Sequence, residues 1–185
     1  MTTSADQPGP AEAAPLRSVL AVADPEGDPD TLRAGAALAG RAGAALGVLS
    51  NVEPPPDFAL LARAMGLSTG RMRERLVAER RAQMTAMLEQ ALPDESPALT
   101  VTFGKAFVEI IRHVIRARVD FVVKAAEPLG GVERYLFAST DQHLVRKCPA
   151  AVWLRVAGTP VAPRTVVAAV DVDETDAREP ETLAA

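Results

Sequence analysis

The fold class is decided by the stretch Arg17-Ser-Val-Leu-Ala-Val-Ala-Asp24-Pro25. Its short and continuous apolar run, Val19 to Ala23, is typical of a strand that is buried on both faces of a parallel sheet. Asp24-Pro25 then supplies the turn chemistry that ends such a strand. The same order of a basic residue, a hydroxyl, an apolar run and an aspartate returns 147 residues later in Arg164-Thr-Val-Val-Ala-Ala-Val-Asp171. This repeat predicts one complete α/β unit followed by the first strand of a second copy, with chance similarity between two buried strands as the alternative.

Helical and strand patterns alternate after this first strand. Small and apolar residues at spacings near 3.6 predict a helix over 31–42, with Asp30 as its N-cap. Ala45 to Val52 is predicted to be a second strand, which the prolines at 54–56 end because proline has no amide hydrogen. The region 58–92 then predicts a short helix, a break, and a longer helix that begins at about residue 71.

The second half of the domain continues the alternation. The pattern predicts a strand over 99–103, a strand at 121–123, a helix after Ser139-Thr140 and a strand over 151–156. The strongest helical signal is an apolar stripe between the first two of these strands, formed by Phe107, Ile110, Ile111, Val114 and Ile115. Strands that alternate with helices, joined by right-handed crossovers, predict a parallel α/β sheet.

Composition excludes several classes of protein. The 185 residues, 48% of them hydrophobic, are enough for one core, and the net charge of −4 does not favour a nucleic-acid or membrane-surface partner. A single cysteine, Cys148, and two histidines, His113 and His143, cannot form an intramolecular disulfide or a structural zinc site of Cys and His ligands. No apolar run is long enough to span a membrane, and the polar, acidic start is unlike a signal peptide, so a cytoplasmic location is expected.

Four segments are predicted from the distribution of these patterns. Residues 1–15 are expected to be a disordered leader, 16–157 the folded domain, and 158–163 a linker. Residues 164–185 hold the repeated first strand and an acidic tail, in which 171–185 carry six carboxylates and one arginine. The tail strand, over 166–170, is expected to pair with the edge of the sheet in its own or a partner subunit.

The segment Phe137-Ala-Ser-Thr-Asp-Gln-His-Leu-Val-Arg-Lys-Cys-Pro-Ala-Ala-Val-Trp-Leu154 carries a family resemblance. It resembles Phe-x-x-Thr-Asp-x-His-Leu-Leu-Arg-Lys-Cys-Pro-x-Pro-Val-Trp, which is typical of the E-type tandem members of the universal stress protein family. The resemblance covers about residues 16–157 as a first domain, with a truncated second domain after it. It implies an open five-stranded parallel sheet of order 3-2-1-4-5, with helices on both faces and ligands at the carboxyl ends of strands one and four.

The phosphate loop of the nucleotide-binding members is degraded in this sequence. In the family, three glycines at fixed spacing precede a serine or threonine, and that spacing places Ala125, Pro128 and Ala138 at the glycine positions. Pro128 has no amide hydrogen to offer a phosphate, and Ala138 adds a methyl group where backbone must approach closely. ATP is therefore a disfavoured ligand, although the resemblance implies adenine-nucleotide binding.

Five residues are candidates for ligand binding at the carboxyl ends of the strands, and each has a structural alternative. Asp24 could bind a ligand or serve only as a turn residue, and Ser139 or Thr140 could contact a phosphate or serve only as the N-cap of the following helix. Lys124 is expected to pair with Asp24 or Glu127, or to face the crevice. The candidates are Asp24, Val52, Lys124, Ser139 and Thr140.

No motif of a known catalytic type is present in the sequence, so an enzyme is not expected. The sequence instead favours a non-catalytic stress-response module that binds a ligand or has a regulatory role, and forms a homodimer. The ligand is either a weakly bound nucleotide or a more apolar molecule near Met65, Met72, Met84 and Met87, although core packing is the simpler explanation of these methionines. The alternative is an interaction protein that acts through dimerisation alone.

Overall fold

The structure is a computed structural model that describes residues 15–127, 140–163 and 165. The described residues form five strands: β1 (Ser18–Val22), β2 (Ala45–Val52), β3 (Ala98–Phe103), β4 (Phe121–Ala125) and β5 (Ala151–Arg155). They also form five helices: α1 (Asp30–Ala42), α2 (Phe58–Ala64), α3 (Thr69–Ala91), α4 (Ala106–Ala117) and α5 (Thr140–Lys147). The predicted alternation of strands and helices is thus confirmed.

The strands form one parallel sheet of order β3-β2-β1-β4-β5, which confirms the fold class. β1 is central, and Val22 near its carboxyl end is in register with Leu49 of β2 and Lys124 of β4. The chain passes from β1 to β2 on one side and returns to β4 on the other. The carboxyl ends of β1 and β4 therefore flank the switch point of the sheet, where open α/β sheets place their ligand crevice.

Helices cover both faces of the sheet. Ala21 and Val48 pack with α1 and α3, where Met84 is fully buried. On the other face, Leu20 and Val22 pack with Ile110 of α4 and with Leu144 of α5. The burial of Met84 on this core confirms core packing for that methionine.

Two local expectations are wrong. Asp30 is the first residue of α1, and its N-cap is Pro29, which makes no side-chain cap bond. The Asp28 carboxylate accepts the Asp30 amide at 2.9 Å, so the helix begins one residue earlier than predicted. Ile115 is 62% exposed although Ile110 and Val114 are buried, because 100° per residue turns position 115 away from the face that these two share.

Several predictions fall outside the described residues. They concern the disordered leader, of which only Pro15 is described, the phosphate loop from Pro128 to Ser139, and the tail strand over 166–170. Within 15–127 and 140–163, none of the helices combines the length and the apolar character needed to cross a membrane.

Candidate functional site

The carboxyl ends of β1 and β4 carry a set of paired charges. Each of three cations, supplied by α3, β4 and β5, contacts a carboxylate there: Arg80 contacts Asp24, Lys124 contacts Asp141, and Arg155 contacts Asp28 and Asp30. Parallel strands bring these groups together because their carboxyl ends lie at the same edge of the sheet.

Asp24 follows β1 and faces solvent. The Arg80 guanidinium lies 2.8 Å from its Oδ1, and the Ser50 hydroxyl donates to the same atom at 3.3 Å. Its backbone carbonyl accepts the Gly27 amide at 2.9 Å, as expected for a turn residue. Asp24 is therefore part of a turn, and its accessible carboxylate is held by two side chains that the prediction did not include.

Lys124 points away from Asp24. Lys124 lies two residues after Val122, so its side chain is on the same face of β4 as Val122, which is the face that α4 and α5 cover. Its ammonium contacts Asp141 Oδ1 at 2.8 Å and Glu127 Oε1 at 3.7 Å, and donates to the Ala125 carbonyl at 2.9 Å. The expected contact with Glu127 is confirmed, and pairing with Asp24 is wrong because the first turn of α5 provides a closer carboxylate.

Asp141 also binds the backbone that leaves β4. Its Oδ2 accepts the Glu127 amide at 2.6 Å, while its Oδ1 accepts the Lys124 ammonium. Both side chains of the ion pair are largely buried, at 14% exposure for Lys124 and 12% for Asp141. An amide and a cation at the start of the loop are thus already bound to a carboxylate of the protein itself.

Arg155 is a fully buried arginine at the end of β5, and the sequence analysis did not identify it. Its Nη1 donates to the Asp28 carboxylate, and its Nη2 donates to the Thr159 carbonyl at 2.7 Å and to Asp30 Oδ2 at 3.4 Å. Its Nε has no hydrogen-bond partner among the residues that the structure describes. The signal in the sequence was a charged residue inside the predicted apolar strand 151–156. Arg155 links the end of β5 to the start of α1.

The pKa of Asp28 is lowered, chiefly because the Asp30 amide donates to its carboxylate. Burial of the group raises the pKa in part, and the hydrogen bond and charge of Arg155, together with the charge of Arg33, lower it. Asp28 is therefore held as a carboxylate at neutral pH and completes the loop between β1 and α1.

The other predicted site residues lie in different places. Val52 is buried at the end of β2, and its carbonyl accepts the Gly104 amide at 3.0 Å. β2 flanks β1 on the side opposite β4, so Val52 does not belong to the group around Lys124. Thr140 is the half-buried first residue of α5, next to Asp141. Ser139 lies outside the described residues.

Carboxylates and cations in close pairs are the chemistry available at this edge of the sheet. In the ranges 15–127 and 140–163, His, Cys, Asp and Glu side chains form no group of three or more that could hold a metal ion. The arrangement suits polar recognition of a ligand or a structural role at the crevice.

Comparison with protein families identifies the fold by sequence as well. The profile of the universal stress protein family matches residues 16–155, which is most of the chain. The chain belongs to this family. Universal stress protein E from Salmonella typhi is 36% identical over 87 residues, which are 45% of this chain and 27% of that relative. Universal stress protein E from Escherichia coli K12 is 34% identical over the same share of each chain. The match thus spans about a quarter of the length of these curated relatives.

Solved structures of universal stress proteins have the same fold. Universal stress protein UspA from Lactobacillus plantarum superposes with a TM-score of 0.53 at 17% identity, covering 77% of this chain and 99% of that chain. A Pseudomonas aeruginosa protein assigned to the universal stress proteins gives a TM-score of 0.54 at 19% identity, covering 78% of this chain and 49% of that chain. At these identities the likeness concerns the fold.

Proposed function

We propose that this universal stress protein is a non-catalytic ligand-binding or regulatory module in which the phosphate loop is degraded and ATP binds poorly. The observation that supports this most directly is the position of Asp141. Its carboxylate accepts hydrogen bonds from the Glu127 amide and the Lys124 ammonium at the end of β4. A phosphate at this place needs free amides and a free cation, and would instead meet a negative charge that already binds both.

The neighbouring charges add to this effect. Arg80 is paired with Asp24, and Arg155 is paired with Asp28, so both cations nearest the end of β1 are neutralised by the protein. A triphosphate would have to displace these carboxylates or accept their repulsion. Polar ligands with less negative charge are better suited to the crevice.

Calorimetric titration with ATP and magnesium tests the proposal. We expect no binding tighter than about 100 μM, the affinity that corresponds to roughly 5.5 kcal/mol. Saturable binding well below that concentration would contradict the proposal.

A gain of affinity is the sharper test. The triple substitution Ala125→Gly, Pro128→Gly and Ala138→Gly restores the glycines of the family loop, and Asp141→Asn removes the competing carboxylate. Combined, they are expected to raise ATP affinity about tenfold or more, the equivalent of one to two good hydrogen bonds to phosphate.

The matched control for Asp141→Asn is Asp120→Asn. Asp120 accepts the amides of Arg17 and Ser18 at the opposite, amino end of the sheet. Its substitution removes the same charge and should leave nucleotide affinity unchanged. Equal effects of the two substitutions would show that net charge, and not the occupied amide, limits binding.

We also propose that the chain corresponds to the first domain of an E-type tandem protein, with 16–157 as that domain, 158–163 as a linker and 164–185 as the opening of a second copy. The repeat at Arg164 to Asp171 supports this. The greater length of the matched relatives, and of the Pseudomonas aeruginosa protein, supports it independently.

An interaction protein that acts through dimerisation alone is the second candidate. It is favoured by β5, which pairs with β4 and, among the described residues, has no strand on its outer edge. Native mass spectrometry of the purified protein separates the two. A small molecule that copurifies supports ligand binding, and a homodimer free of small molecules supports the second candidate.

A further inference from the structure

A stacked pair of aromatic rings joins α4 to α5 on the side of the sheet where these helices pack. The rings of Phe107 and His143 have centroids 4.1 Å apart and planes inclined by 20°. The ammonium groups of Lys105 and Lys147 lie 5.2 Å and 5.7 Å from the Phe107 centroid. Two residues distant in sequence thus bring their positive charges to the same ring.

Acidic residues near this group are bound elsewhere. Glu53 accepts the Ala106 amide at 3.2 Å, Glu109 pairs with Arg112 at 2.6 Å, and Asp141 pairs with Lys124. Among the described residues, no carboxylate forms an ion pair with the lysines at 105 and 147 or with Arg146. This differs from the crevice, where the cations at the strand ends are neutralised.

The pKa of the His143 imidazole is sensitive to the positive charges around it. Its pKa is lowered, first by desolvation and then by the positive charges of Lys147, Lys105 and Arg146. Lys105 precedes α4 and the other two cations belong to α5, so both packed helices contribute. At neutral pH the imidazole is neutral, and an anion bound among these cations would favour its protonated form.

We propose that Lys105 and Lys147, grouped around the Phe107–His143 ring stack, form a binding site for phosphate-type anions. Compact multivalent anions suit the site because two ammonium groups approach one ring there, and among the described residues no carboxylate pairs with either of them. Binding takes up a proton at His143 when the anion replaces the repulsion among the cations by attraction. This site is separate from the crevice, and its existence does not depend on whether ATP binds there.

The chain provides a direct readout, because it contains only two histidines, His113 and His143. The full chain is titrated by proton NMR between about pH 5 and 8, the range in which histidine charge changes, with either pyrophosphate or sodium chloride at matched ionic strength. His143→Gln assigns the two imidazole signals. His113 lies on α4, and its pKa is lowered by burial and by Arg116, so it serves as an internal control.

We expect pyrophosphate to raise the pKa of His143 by about half a pH unit or more and to leave that of His113 unchanged, since a bound opposite charge favours the protonated form. The double substitution Lys105→Ala with Lys147→Ala should raise the half-saturating pyrophosphate concentration about fivefold or more, because two charge-assisted contacts are lost. Arg71→Ala with Arg75→Ala removes the same charge from α3 and should leave the response unchanged.

Three results would overturn the proposal. They are a His143 pKa that pyrophosphate does not move beyond the effect of chloride, an equal shift of both histidines, and an equal response in the two double variants.

Discussion

Arg155 shows how a single buried charge can hold a loop in place. Its side chain is fully buried, and it connects the last strand to both aspartates at the start of α1. A buried guanidinium is tolerated only when most of its donors are satisfied, and here Asp28, Asp30 and the Thr159 carbonyl satisfy them. The position of the loop between β1 and α1, and hence of the crevice, depends on this residue.

Arg155→Ala is expected to lower the free energy of unfolding by about 2–4 kcal/mol, because it leaves Asp28 without its cation and removes a buried stem. Urea unfolding measures the loss. Arg33→Ala is the control, since it breaks an exposed pair with Asp30 and should cost no more than about 0.5 kcal/mol. Similar losses in the two variants would show that burial of Arg155 contributes little.

Asp28 should make stability depend on pH in the acidic range. A carboxyl with a lowered pKa in the folded state stabilises the protein above its unfolded pKa of about 3.9, and the effect is lost as the pH falls through the folded pKa. Asp28→Asn should therefore be less stable than the original protein at pH 7, and the difference should narrow below about pH 4. Urea unfolding at pH 7, 4 and 3 measures it, and a difference that is constant with pH would contradict the assignment.

Helix α1 lies close to the central strand because it carries small residues. A Cβ atom at Gly35 would lie 3.0 Å from the Ala21 Cβ and 3.4 Å from a methyl of Leu46. Gly40 lies on the exposed side of the same helix, and a Cβ atom there would meet no described atom within 4 Å beyond its chain neighbours and the local helix backbone. The two glycines thus have opposite roles in one element.

Gly40→Ala should stabilise the protein by about 0.5–1 kcal/mol, the helix propensity gained. Gly35→Ala gains the same propensity but must push apart α1 and β1, so it should fall short of Gly40→Ala by about 1–3 kcal/mol. Thermal unfolding of the pair measures the difference. Equal stabilities would show that α1 can shift away from the sheet at little cost.

Helix α4 has one buried face that its apolar stripe only partly describes. Ile110→Ala should cost about 2–5 kcal/mol because Ile110 is buried against β1 and β4, whereas the exposed Ile115→Ala should cost less than about 0.5 kcal/mol. Urea unfolding compares the two variants. A large cost at Ile115 would mean that this side of α4 is covered in the protein in solution.

At the scale of the assembled protein, the outer edge of β5 is the feature that points to association. The tail strand over 166–170 and a second subunit are the two predicted ways to cover it. A chain ending at residue 163 keeps Val161, which packs against the core near Val19 and Val123, and removes only the tail.

We expect the full chain to be a homodimer, or to associate more strongly than the chain that ends at 163. Size-exclusion chromatography with light scattering measures the mass of both. Identical monomers, with tail amides that exchange freely with solvent, would show that the tail strand is inert and that the edge of β5 does not drive association.

Local pattern was sufficient to identify the helices and strands and their sequence along the chain. Apolar runs such as Val19 to Ala23, and the helical stripe around Ile110, identify strands and helices because burial imposes a period on the sequence. The family segment from Phe137 to Leu154 added the strand order, which periodicity cannot supply. The prediction of a degraded phosphate loop rests on the chemistry of proline and alanine at positions 128 and 138, which lie outside the described residues.

Pairing of charges could be decided only by the tertiary structure. Lys124 was recognised as unusual, but its partner Asp141 lies 17 residues away on helix α5, and Arg155 contacts Asp28 across 127 residues. Sequence spacing carries no information on such contacts, because they depend on which strand ends the sheet brings together and which face each side chain leaves. The apolar pattern of the sequence therefore determined which segments become strands. The folded structure determined which carboxylate each cation binds at the carboxyl edge of the sheet.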